Sequence, residues 1–173
     1  VLHSGNRLEI HTPVTEAVVA GALAVAALNA ISGVLGGLLW YRGVALAEAA
    51  TATGPVRAFW VMLRVGQGSA LTLAVAVGSL AAAGRDSTEH LFYLYALLPL
   101  AIAFVAEQLR VASAQTILDQ SGLESAAAVG TLPEHEQRSL VAAIVRREIG
   151  VMSLSAIVVV FLALRAASTA HGF

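Results

Sequence analysis

FWVMLRVGQGSALTLAVAVGSLAAA, running from Phe59 to Ala83, is apolar over a length that crosses a bilayer and carries one charge, Arg64. A hydrocarbon core about 30 Å thick needs about 20 apolar residues in an α-helix. Three further runs satisfy the same measure: Val14 to Leu39 before it, and Leu91 to Val111 and Ile149 to Ala167 after it. The sequence therefore predicts an all-α integral membrane protein, a single domain of residues 1–173 built as a four-helix bundle with antiparallel neighbours. The first run is longer than a signal-peptide core and lacks a basic flank ending in a small-residue cleavage site, so it reads as a retained helix.

Composition points the same way. Of 173 residues, 58% are hydrophobic and 12% charged, with mean hydropathy +0.79, so the chain folded in water would expose large apolar patches. A net charge of -1 offers no basic stripe to neutralise phosphates, which excludes a nucleic-acid partner. The chain has no cysteine, and with it no disulfide, thiolate metal site or thiol redox chemistry. All ten cationic residues are Arg, which with the heavy Ala, Gly and Val usage fits a GC-rich bacterial genome and a plasma-membrane location.

Local chemistry sets the expected boundaries. Thr12-Pro13 reads as an N-cap with proline at the first helical position, and the first helix is expected to continue through Trp40-Tyr41-Arg42 to Gly54. Gly54-Pro55 restarts the chain as the second helix, the turn at Gly84-Arg85-Asp86 ends it, and Asp86 with Glu89 forms a capping-box pattern for the third. The second and third helices are then expected to pair as an antiparallel hairpin. The third should reach Asp119, and Thr131-Leu132-Pro133-Glu134 reads as a second capping box opening the fourth helix, with Glu134 to Glu148 as an amphipathic cytoplasmic lead-in. Pro99 predicts a kink, because it removes one backbone donor and crowds the preceding turn.

Arginine placement orients the bundle. With both termini outside, Arg42, Arg57, Arg110, Arg138, Arg146 and Arg147 fall on the inner side, against Arg7, Arg85 and Arg165 outside. Trp40, Tyr41, Phe59 and Trp60 are expected as an inner aromatic belt and Phe92, Tyr93 and Tyr95 as an outer one. Gly33 and Gly37 stand in G-x-x-x-G spacing, and Gly66, Ala70, Ala74 and Gly78 recur at fours. Such stripes permit close helix approach, either within the chain or in a homodimer through the first helix.

Two sets of polar residues carry the functional expectations. Arg64 and Glu107 fall at similar depth in the inner leaflet, where an unpaired charge costs about 2.5–3.5 kcal/mol, so they are expected to pair. Gln67, Arg110, Gln108, Asn29 and Ser32 are placed to extend that cluster. It reads either as an ion pair that fixes helix register or as a cytoplasm-facing vestibule for an ion or an anionic group. The second set is His11, His90 and His171, expected at the outer face with His3 and nearby carboxylates, where converging imidazoles would suit a transition metal or haem. No metalloprotease histidine spacing, G-x-S-x-G nucleophile elbow or phosphate loop is present. The functional expectation is a non-enzymatic polytopic membrane protein, either a small channel or transporter or an accessory subunit of a homo-oligomer or larger complex. The alternative is a redox or metal/haem-binding membrane protein using the outer histidines.

Overall fold

The computed structural model describes residues 13–43, 54–123 and 125–171. Among these all the regular structure is helical: α1 (Pro13–Arg42), α2 (Pro55–Ala82), α3 (His90–Gln120), the single turn α4 (Ala126–Val129) and α5 (Glu134–Thr169). All but α4 are long and apolar enough to cross a membrane. The boundaries follow the residues that break helices. α1 closes at Gly43, whose φ of +33° departs from the helical region, and the expected continuation to Gly54 falls on residues outside the described ones, as does the expected cap Thr12. Pro55 opens α2, and Gly84 (φ +73°) turns the chain after it. Pro99 lies buried inside a continuous α3.

Neither expected capping box forms. Glu89 and Pro133 occupy the N-cap positions of α3 and α5 without a side-chain cap bond. Asp86 instead accepts a hydrogen bond from the Tyr93 hydroxyl at 3.1 Å, and Glu134 pairs forward along α5 with Arg138. In both cases the carboxylate finds a charged or hydroxyl donor within reach, which competes with the free backbone amides of the first turn.

Two core clusters stack along the bundle and establish the up-down order. One joins the start of α1 (Val18, Ala22, Val25), the end of α2 (Leu73, Val77), the start of α3 (Phe92, Ala96) and the end of α5 (Val159, Ala163, Ala166). The other joins Val56, Phe59 and Leu63 of α2 with Ala106 of α3 and Ile149, Met152 and Ala156 of α5. Neighbours in sequence are antiparallel, yet α2 and α3 are not the principal pair: α1 packs most extensively on α5, α3 on α5 and α2 on α1, while α2 meets α3 over a smaller surface. Phe59 and Phe92 are fully buried in these clusters and do not belong to a lipid-facing aromatic belt, whereas Trp40 and Tyr41 are exposed.

Small residues explain which helices approach. A Cβ on Gly36 would lie 2.5 Å from Phe59 and 2.9 Å from Ser153, and one on Gly33 would lie 2.8 Å from Ile157, so α1 meets both α2 and α5 through missing side chains. The Ser153 hydroxyl donates to the Gly33 carbonyl at 2.8 Å, fastening α5 to α1. Gly37, the second glycine of the expected motif, has only a 3.7 Å neighbour, so the working spacing is Gly33 to Gly36. On α2 the seam runs through Gly66, Ala70 and Ala74 and then shifts to Val77, leaving Gly78 in open space.

Candidate functional site

The small α2–α3 contact carries the most extended charge network among the described residues. α2 presents Arg64 on its outward side, one turn beyond Trp60, and α3 presents Glu107 and Arg110 on facing turns. Arg64 Nη1 donates to Glu107 Oε1 at 2.5 Å and to Gln67 Oε1 at 2.7 Å. The second carboxylate oxygen of Glu107 accepts from Arg110 Nε at 3.0 Å, and Arg110 Nη1 lies 3.7 Å from Glu148 on α5. The Arg110 guanidinium also lies 5.4 Å from the Trp60 ring centre, a cation–π contact that shields it from lipid. The result is an alternating chain, Arg64–Glu107–Arg110–Glu148, with two charges of each sign.

Exposure is uneven along that chain. The side chain of Arg64 is 52% exposed, against 25% for Glu107, 28% for Arg110 and 19% for Glu148. Electrostatic neutrality comes from the three inner groups and Arg64 together, but only Arg64 reaches well out of the bundle. It does so within a candidate membrane span, where an exposed guanidinium must snorkel or find a polar partner.

The structure thus brings together four of the seven residues expected in the cluster: Arg64, Gln67, Glu107 and Arg110. Asn29 touches the same helix from the other side, donating to Val25 O at 2.9 Å and to Gly66 O at 3.4 Å, and it does not join the charges. Ser32 bonds back to Leu28 O, and Gln108 is exposed, outside the network. Glu148 was not expected there. Its signal was a carboxylate immediately before an apolar run, but which neighbour it meets depends on the rotation of α5, which packing on α1 sets.

The outer histidines are a different case. His11 lies outside the described residues, as does His3. His171 contributes its backbone: its carbonyl accepts from Thr88 N at 3.1 Å and from the Ser87 hydroxyl at 2.9 Å, tying the end of α5 to the α2–α3 turn. His90 is exposed at the first position of α3. Among the described residues no group of three or more His, Cys, Asp or Glu side chains could hold a metal ion.

Comparison with protein-family models, curated proteins and solved structures finds no match for this chain.

Proposed function

We propose that this protein is a non-enzymatic subunit of a membrane assembly, and that the α2–α3 face around Arg64 is where a polar transmembrane helix of its partner docks. The observation that carries the reading is the half-exposed guanidinium of Arg64 inside a candidate span, held in place by Glu107 and Gln67. In lipid such a group is costly, and a polar helix beside it removes that cost. Transport through the chain's own axis has less support. The cluster formed by Val18, Val25, Val77, Phe92 and Val159 fills one half of the bundle with apolar side chains. Buried Asn29, Ser32, Ser113 and Ser153 each bond to backbone carbonyls, and no buried side-chain polar atom among the described residues lacks a partner.

The test is the mass of the assembly extracted from its native membrane in mild detergent. The intact protein is expected to migrate in a complex larger than one chain, and Arg64→Ala is expected to release it while leaving its helix content intact. A wild-type chain that is monomeric in its own membrane overturns the proposal. So does solute flux in vesicles containing the purified protein alone that Arg64→Ala abolishes, which would establish the transporter reading instead.

A further inference from the structure

A second feature, sharing no residue with the charge network, lies between α1 and α5. A groove of about 510 Å³ is lined by Gly37, Trp40, Arg147, Gly150, Leu154 and Ile157, among others, and falls within the usual range of about 300–1,000 Å³ for small-molecule pockets. Its depth comes from absent side chains. Gly37 leaves open space on α1, and the Trp40 indole lies over Gly150, where a Cβ would be 2.9 Å from the ring. The Ser153 hydroxyl, also on the lining, is used on the Gly33 carbonyl, so the groove offers a ligand an apolar surface. The polar character is confined to one end, where Arg147 lines the groove and the Arg146 guanidinium stands 5.5 Å from the Trp40 ring centre.

Among the described residues the charges at that end are unbalanced. Glu148, the next residue along α5, is turned toward Arg110 on α3, and neither Arg146 nor Arg147 is ion-paired with a described residue. Among the described residues, two guanidinium groups therefore stand without acids at the level where Trp40 closes the apolar span, and below them runs an apolar channel along the helices. Planar guanidinium forks match phosphate oxygens, indoles favour the headgroup level, and an apolar groove beneath suits a hydrocarbon chain.

We propose that this groove binds an anionic phospholipid, with one acyl chain laid along Gly37, Gly150, Leu154 and Ile157 and the phosphate received by Arg146 and Arg147. The inference rests on the membrane location alone and stands whether or not Arg64 docks a partner.

The test uses the full chain carrying Trp60→Phe, so that Trp40 is the sole indole, reconstituted in phosphatidylcholine vesicles. Phosphatidylglycerol or phosphatidylcholine brominated on the acyl chain is added at equal mole fraction, and quenching of Trp40 is read. The anionic lipid is expected to quench at least about twofold more strongly. Arg146→Gln with Arg147→Gln removes that excess, and Arg57→Gln, an exposed cation on α2, leaves it. Gly37→Leu, whose Cβ has room and whose remaining carbons fill the groove, lowers quenching by both lipids. Equal quenching by the two lipids overturns the proposal, as does an excess that survives the double substitution or falls as far with Arg57→Gln. Unchanged quenching in Gly37→Leu removes the acyl chain from the groove. Loss of the excess on adding inorganic phosphate, but not chloride at the same ionic strength, assigns the arginines to a soluble anion and overturns the lipid.

Discussion

Glu107 holds the charge network together, because its two oxygens serve two arginines from two helices. Removing it leaves Arg64 without its counter-charge and Arg110 with only the 3.7 Å contact to Glu148, whereas removing Arg64 leaves Glu107 still paired with Arg110. Glu107→Ala is therefore expected to destabilise the bundle by about 1–3 kcal/mol and Arg64→Ala by less, because its guanidinium is half exposed. The double substitution should cost less than the sum of the two. Thermal unfolding in one mild detergent checks the order; an Arg64→Ala variant less stable than Glu107→Ala would show that the network is organised around the arginine. Arg64, Gln67, Glu107 and Arg110 were legible as a cluster because polar residues in apolar runs stand out and antiparallel counting fixes their depth. Glu148 was not, because it sits at the edge of its run and its facing depends on tertiary rotation. The same limit applied to Asn29, whose depth was readable but whose bond to Gly66 O, on the other side of α2 from the charges, was not.

At the scale of elements, glycines decide which helices touch, and they do so unequally. Gly36→Ala places a methyl group 2.5 Å from Phe59 and 2.9 Å from Ser153, both buried, so α1 must move away from α2 and α5 together. The expected cost is about 1–3 kcal/mol, typical of overpacking. Gly78→Ala meets nothing within 4 Å and should be neutral or stabilising by up to about 1 kcal/mol through helix propensity. Ser153→Ala loses one interhelical hydrogen bond, for which membrane measurements average about 0.6 kcal/mol, and should fall between them. Unfolding by denaturing detergent ranks the three, and a Gly36→Ala variant as stable as wild type would mean that the α1–α2–α5 contact tolerates a wider spacing. The sequence showed that small residues recur on the first two apolar helices. It did not show which face of each is turned inward, because Ala and Gly are as compatible with lipid as with a neighbour. Hence Gly37 and Gly78 were read into small-residue stripes whose seams they do not occupy, and the expected α2–α3 hairpin forms with α1 as the larger neighbour of α2.

For the whole molecule, four spans in up-down order place the start of α1 and the end of α5 at the same end, as the core cluster joining Val18 to Ala170 requires. Ser87 and Thr88 reach the His171 carbonyl at that end, so the α2–α3 turn belongs there too, while the α3–α5 connection lies at the other. Which end faces the cytoplasm is an electrostatic question, and six arginines against three predict that it is the end carrying Arg42, Arg57, Arg146 and Arg147. Arg165, left on the minority side, is accommodated by the Tyr95 ring 5.6 Å away. Because the chain has no cysteine, single introduced thiols report sidedness without background. In intact cells a membrane-impermeant maleimide is expected to label Glu89→Cys and Thr169→Cys, and to label Glu134→Cys only after the membrane is permeabilised. The reverse pattern would keep the fold and invert its orientation, and labelling of Glu89→Cys and Thr169→Cys from opposite sides would refute the four-span topology. The first pattern would also put Arg146 and Arg147 on the leaflet where anionic lipid concentrates in many membranes, so one labelling experiment bears on both the positive-inside assignment and the access of lipid to the groove.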